Sequence, residues 1–399
     1  MRHQLKAAAL AIAALPGLAA AQSSVTIYGT LNADVESVKA TGASVPGGDF
    51  SSRARVSSNS SNVGFRGVED LGSGLKAFFQ VESSANIDEG GGTWASRNSA
   101  VGLTSAWGQI LLGQWDTPYK VATARLDPFG NTGIAAYSGI MGFSGSLTAG
   151  QGGANFQQRA SFDRRARNVV QYWTPTVAGF NARLAYGAAD SDKPTGVNQA
   201  LTPTLWSLAA SYESGPFYAT LAYERHEDFE PLNTLLGAPL TSGDDDGIKV
   251  GASYRIGAFT IGGAYERLKY QGNGLASAQV AALLGPGPRD VEYEFGNWFI
   301  AATYEVGPHV FALAYGQKDE DELNGTTIAD TDARQVSARW GYNFSKRTQL
   351  YAVATRISND SNAFQTFGVN PLGATVPLGL SPIRGADPTG YGVGLIHRF

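Results

Sequence analysis

The chain has 399 residues with no Cys, 50 Gly, 17 Tyr, 19 Phe and 7 Trp, and its 30 basic and 34 acidic residues give a formal charge of −4. Charged residues make up 16% of it, against roughly 25% in an average soluble domain, and glycine stands far above its usual ~7%. Without Cys there is no disulfide framework, thiolate metal site or Cys nucleophile, and without a clustered run of Lys and Arg no nucleic-acid partner is expected.

The N-terminus reads as an export signal. Arg2, His3 and Lys6 precede an uncharged apolar run from Ala7 to Leu15, and Ala19, Ala20 and Ala21 follow the Pro16-Gly17 break as a small-residue cleavage site. Residues 1–21 are therefore expected to be a signal peptide and residues 22–399 a single domain. No later stretch approaches the ~18 consecutive apolar residues of a spanning helix. A membrane location would then require a closed β-barrel, the other structure that satisfies its own backbone in lipid.

From Tyr172 onward, alternating runs are joined by short Gly-, Pro- or Ser-containing turns at 175–179, 213–216, 256–258, 306–308 and 344–346. Long polar loops lie between them, at 190–204, 227–246, 271–292, 318–332 and 358–388. Gly179, Gly215, Gly257 and Gly307 mark the turns at intervals of 36, 42 and 50 residues, which two strands and one long loop would fill. Read backwards, the pattern adds turns at 68–74 and 105–108. Seven short turns and eight long-loop hairpins predict sixteen antiparallel strands, an even number as in single-chain outer-membrane barrels.

Parity sorts each strand into two faces. Val336, Ala338, Trp340 and Tyr342 alternate with Gln335, Ser337, Arg339 and Gly341, and Phe180, Ala182, Leu184 and Tyr186 alternate with Asn181, Arg183 and Ala185. Phe180 and Tyr186, Phe217 and Tyr223, and Phe259 and Tyr265 are each six residues apart on the apolar face, spanning roughly 20 Å as two aromatic girdles. The expectation is an all-β transmembrane barrel with lipid outside and a polar, water-filled lumen. Enzyme chemistry has few candidates: His226, flanked by Glu224 and Asp228, is the one acid–base group near a loop, and there is no phosphate loop or metal-ligand spacing. No cofactor is expected.

Three stretches carry a family resemblance. Ser24 to Asp34 (SVTIYGTLNAD), Val63 to Ala77 (VGFRGVEDLGSGLKA) and Tyr391 to Phe399 (YGVGLIHRF) resemble the first strand, the most recognisable strand–turn–strand segment and the last strand of the general-diffusion porins of Gram-negative outer membranes, in their beta-proteobacterial branch. The resemblance implies a homotrimer in outer-membrane lipid and lipopolysaccharide, passing small hydrophilic solutes and ions. It also implies that the segment from Asp116 to about Asp163 is a third loop folded into the lumen as the constriction. Bottom-up, that segment is a Gly-, Ser- and Ala-rich loop of a length that is usually functional.

Selectivity is expected from inward charge at the narrow point. Parity places Arg66, Lys76, Arg165, Arg167, Arg183 and Arg339 on the lumen face, with Lys249 and Arg255; inward acids are Asp34, Glu36, Glu82, Glu224 and Glu266. Asp116 and Asp127 of the third loop would face this basic wall and create a transverse field. Arg53 and Arg55 fall on the lipid parity unless a bulge intervenes. Where the family commonly has basic residues before the Gly-Phe segment and at the end of the fifth strand, this chain has Asn62 and Gln114, which weakens the anion preference the wall implies. Acidic runs at Glu227, Asp228 and Glu230, at Asp244 to Asp246 and at Asp319 to Glu322 read as solvated loops; the alternative is divalent cations bridging lipopolysaccharide phosphates. Two further readings are a substrate-specific channel, using Trp94, Trp107, Trp115 and Phe129, and an adhesin barrel with a plugged lumen.

Overall fold

The computed structural model describes residues 24–142, 161–188, 201–229, 231–232, 236–239, 241–372 and 384–399. The expected signal peptide lies outside the described residues. Strand β1 is Ser24–Thr41, and β2 runs in two halves, Phe50–Ser58 and Asn62–Gly72. Then come β3 (Leu75–Ser84), β4 (Ser99–Ser105), β5 (Gly108–Asp116), β6 (Arg165–Trp173), β7 (Phe180–Ala188) and β8 (Thr204–Ser214). The second half holds β9 (Phe217–Glu227), β10 (Asp244–Ile256), β11 (Phe259–Leu275) and β12 (Arg289–Val306). It closes with β13 (His309–Lys318), β14 (Ala333–Asn343), β15 (Thr348–Asn359) and β16 (Asp387–Arg398). Each strand pairs antiparallel with its neighbours in chain order, as hairpins require.

The sheet closes on itself. β1 pairs with β16 from Thr30↔Arg398 to Thr41↔Asp387, so the sheet has no free edge. The other side of β1 is shared: Ser24–Thr30 pairs with the second half of β2 and Ala33–Ala40 with the first. Phe399 and Gly29 exchange backbone hydrogen bonds of 3.1 Å in both directions. A Cβ on Gly29 would lie 2.6 Å from Asn62 O and 2.7 Å from the Phe399 ring, so this closing contact needs glycine.

The outer face is apolar throughout. Val35, Val101, Leu112, Leu184, Leu208, Leu221, Val250, Ile300, Leu313, Val336 and Val393 are exposed there, as are the girdle residues Phe180, Tyr186, Phe217, Tyr223, Phe259 and Tyr265. An apolar band of this extent on a closed barrel is a lipid-facing surface. Their alternation partners face inward and are small or polar, among them Ser207, Thr220, Lys249, Glu266, Asn297, Gln335, Ser337 and Thr355, all buried. The short turns expected from the sequence join the strands at one end. At the other, β11 and β12 run on as a ribbon above the rim, and Tyr293 of β12 and Val280 of helix α2 (Ala278–Leu284) cluster with Leu232, Leu236 and Leu323.

Candidate functional site: the lumen and its loop

After Asp116 the chain turns inward. Helix α1 (Pro118–Ala124) starts there because Thr117 caps it, its Oγ1 accepting from the Lys120 N–H at 3.3 Å, with Pro118 in the first turn. The helix lies on β8–β10. Tyr119 N–H donates to Ser207 Oγ at 3.0 Å, and Tyr218 OH donates to Ala122 O at 2.7 Å. Gly251 on β10 makes room: a Cβ there would lie 2.7 Å from Leu126 Cδ1 and 3.0 Å from Thr123 Cγ2.

One buried ionic cluster pins both ends of the loop to the wall. Lys249 Nζ lies 2.5 Å from Asp163 Oδ1 and 3.1 Å from Glu266 Oε2, and 4.1 Å above the Tyr119 ring. Glu266 also accepts from Tyr119 OH (3.0 Å), Asn297 Nδ2 (2.8 Å) and the Gly142 N–H (2.5 Å), while Tyr137 OH donates to Asp163. Beside it Phe162 stacks on His226 at 4.4 Å, and His226 donates to or accepts from Glu224 at 2.8 Å. His226 is thus a packed spacer between Phe162 and Phe229, sealed from solvent. Further along, Phe129, Ile134 and Ala135 pack on Val38, Tyr351 and Val353 across β1 and β15. The described part of the loop therefore follows the inner wall from β8 round to β1.

A family model described as Gram-negative porin matches residues 7–362. This chain belongs to the Gram-negative porin family. Outer membrane porin protein 32 of Delftia acidovorans is 28% identical over 396 residues, with 98% of each chain covered, and major outer membrane protein P.IB of Neisseria lactamica is 28% identical over 378 residues, covering 90% of this chain and 94% of its own. Among solved structures, an anion-selective porin from Comamonas acidovorans superposes with a TM-score of 0.70 at 26% identity, over 95% of this chain and 100% of that one. A trimer form of OmpT of Vibrio cholerae superposes at 0.60 and 17% identity, over 94% of this chain and 99% of that one. The protein is an outer-membrane porin, a sixteen-stranded barrel enclosing a water-filled channel for passive diffusion of small hydrophilic solutes.

The porin's inward charges divide into paired and unpaired. Arg66 faces the lumen over the Tyr28 ring at 5.0 Å, Arg183 over Trp173 at 4.3 Å and Arg339 over Tyr351 at 5.2 Å. Among the described residues no carboxylate forms an ion pair with any of the three. Lys76 faces the lumen at the turn end, opposite Asp70 on β2. Four inward acids are held by cations: Glu36 binds Arg55 at 2.5 Å, Glu82 binds Arg97 at 2.5 Å, Glu213 binds Arg125 of the loop at 2.7 Å, and Glu266 binds Lys249. Asp34 and Glu224 are buried without a Lys or Arg partner among the described residues, Asp34 accepting from Tyr351 OH at 3.0 Å and Glu224 bonding to His226 at 2.8 Å.

Three expectations are corrected, and the condition attached to Arg53 and Arg55 is met. Arg165 and Arg167 do not share a face with Val169 and Gln171, because Asn168 adopts φ 51° and the register slips between Gly113↔Val169 and Trp115↔Ala166. Buried Ala166 takes the inward position; Arg167 is exposed on the opposite face, and Arg165 turns to Asp116 at 3.1 Å and Asn98 at 2.8 Å. Asp116 is not a free acid across the pore, since Lys120 lies 2.9 Å from it and Arg165 completes the pair. Asp127 is 5% exposed, and its carboxylate organises the loop by accepting from the N–H groups of Phe129 (2.9 Å), Asn131 (2.8 Å) and Tyr137 (3.3 Å). Burial pushes that carboxyl up to about 6 although these donors pull it down. Arg53 and Arg55 face inward, opposite Val38 and Glu36, because the break at 59–61 resets the parity of β2.

The aromatics also sort differently from the sequence expectation. Trp94 lies against Phe65, and Trp107 stacks on Tyr172, both on the outer side. Phe129 is buried under the loop. Trp115 alone of the four faces the lumen, edge-on to Trp173 at 5.8 Å. Trp173 and Arg125 were missed by sequence reasoning, although Trp173 sits at the inward parity of β6 and so carried a usable signal.

Proposed function

We propose that this porin prefers anions and works as a homotrimer in lipid and lipopolysaccharide. The observation that carries the preference is the imbalance in pairing: Arg66, Arg183 and Arg339 project into the lumen without an acid, while Glu36, Glu82, Glu213 and Glu266 are each held by a cation and Asp34 and Glu224, which are not, are buried in the wall. Fixed unpaired charge in a narrow aqueous pore concentrates the counter-ion. The wall alone supplies the field, since Asp116 and Asp127 are occupied. The anion-selective description of a solved relative supports the same sign, and the trimer form of another supports the assembly.

The test is the reversal potential of the purified protein in a planar bilayer under a KCl gradient. Wild type is expected to reverse at the anion-selective sign, and Arg66→Gln with Arg183→Gln and Arg339→Gln to move towards zero with open steps preserved. A cation-selective wild type, or a triple variant with unchanged potential, overturns the reading. The mass of the detergent-solubilised protein by analytical ultracentrifugation tests the trimer.

A further inference from the structure

The porin's seven tryptophans are unevenly placed. Trp94 and Trp107 pack against outward Phe65 and Tyr172, and Trp206, Trp298 and Trp340 pair across the sheet with outward Tyr186, Tyr265 and Phe311. These five sit where a lipid-facing barrel wants amphipathic rings. Trp115 and Trp173 do not: both face the lumen, half-buried, with ring centroids 5.8 Å apart at 66°. The cross-strand partner of Trp173 is Arg183, whose guanidinium covers the Trp173 ring at 4.3 Å. Gln171 Oε1 accepts from Trp173 Nε1 at 3.0 Å and fixes the indole plane.

This leaves a specific chemical surface. One face of the Arg183 guanidinium is covered by the indole, and its edge, with the N–H fork, has no carboxylate partner among the described residues. A guanidinium edge matches a carboxylate with two parallel hydrogen bonds. A halide or phosphate would use Arg183 and draw nothing from two indoles, whereas a ring attached to the carboxylate gains both apolar burial and edge-to-face geometry. Arg183 alone would serve selectivity; the indoles beside it are what a channel for inorganic ions has no use for.

We propose that Arg183, Trp173 and Trp115 form a lumen subsite for aromatic carboxylates, the carboxylate seated on the Arg183 edge and the ring against the indoles. The subsite rests on the anion-channel reading and names a solute class for it. It would raise the local concentration of such solutes on their path through the pore without slowing small ions.

The test uses the full-length porin in planar bilayers with KCl, adding benzoate, cyclohexanecarboxylate or acetate. Benzoate and cyclohexanecarboxylate have similar size and equal charge and differ in the π system. Benzoate is expected to depress conductance at concentrations roughly fivefold below cyclohexanecarboxylate, from the extra attraction of an aromatic pair, and acetate to have no effect in that range. Arg183→Gln should abolish block by both, and Trp115→Leu should equalise them while the KCl reversal potential stays unchanged. Equal action of benzoate and cyclohexanecarboxylate on the wild-type channel overturns the subsite without any variant, and so does benzoate block that survives Arg183→Gln. A cation-selective potential combined with benzoate-specific block would overturn the anion preference and leave the subsite standing.

Discussion

Lys249 shows how a charge that parity assigns to the pore wall can serve the architecture instead. It is fully buried, and Asp163 and Glu266 share it. Removing one member of such a cluster leaves the others charged and desolvated, which typically costs about 3–5 kcal/mol. Lys249→Met is therefore expected to lower the thermal unfolding temperature and release the loop, seen as larger or flickering unitary conductance. Adding Asp163→Asn and Glu266→Gln to the same protein should recover most of the stability, since no buried carboxylate is then stranded. A single variant with wild-type stability and steady current would mean that Phe162, Tyr119 and Tyr218 hold the loop by packing. What could be read from sequence at this scale follows a simple boundary. Arg66, Arg183 and Arg339 sit on uninterrupted alternation, so parity placed them. Whether a charge is free depends on partners brought by register, such as Asn98 and Arg165 at Asp116, or the three amides at Asp127, and no local pattern encodes those.

Among the elements, the strands were legible because two-residue periodicity and turn residues are local signals, and the register of a hairpin follows from its turn. Single-residue slips were not. Asn168 in a left-handed conformation redirects Arg165 and Arg167, and the break at 59–61 redirects Arg53 and Arg55; an Asn among polar residues does not announce a bulge. The loops carry their own chemistry. Asp360 N–H donates to Asp332 O at 3.1 Å and Asn362 N–H to Asp330 O at 2.8 Å, tying the loop after β15 to the one before β14. A hydrogen bond shared with Asp332, reinforced by partial burial and by the repulsion of the two carboxylates, raises the Asp360 carboxyl to about 6. Its folded-state value lies above the ordinary 3.8, so protonated Asp360 stabilises the contact fully below about 4 and loses that contribution as pH climbs through 6. Hydrogen exchange at Asp360 and Asn362, corrected for intrinsic rate, is expected to be slower at pH 5 than at pH 7.5. Asp332→Asn should remove the difference; an unchanged pH dependence in that variant would place its origin elsewhere.

For the whole molecule, net charge and pore charge point in opposite directions. The chain carries −4, yet the lumen keeps unpaired Arg66, Arg183 and Arg339, and acids gather on the loops. Arg225 is surrounded by Glu227, Asp244 and Asp246, Arg267 by Glu294 and Glu322, and Lys269 by Glu292, while Gln317, Asp319, Glu320, Glu322 and Asp332 line an acidic hollow at the rim, where Gln317 shares the outward parity of Trp298. An anion thus approaches past an acidic rim before it meets an attracting wall. The two fields differ in how salt reaches them. Charges at an exposed rim are screened beyond the Debye length, ~10 Å at 0.1 M and ~3 Å at 1 M, while charges on a low-dielectric wall are screened less. If the wall governs selectivity, the anion preference measured across a fixed tenfold KCl gradient should persist but weaken as the mean concentration rises from about 0.1 M to 1 M, because the Debye length falls from ~10 Å to ~3 Å. Neutralising the rim acids, as in Asp319→Asn with Glu322→Gln, should strengthen the preference at the lower concentration and leave it nearly unchanged at the higher one. A preference independent of salt over this range would locate selectivity in the width of the passage left by the loop, and a wild-type cation preference that turned into an anion preference on neutralising the rim acids would transfer control from Arg66, Arg183 and Arg339 to the rim.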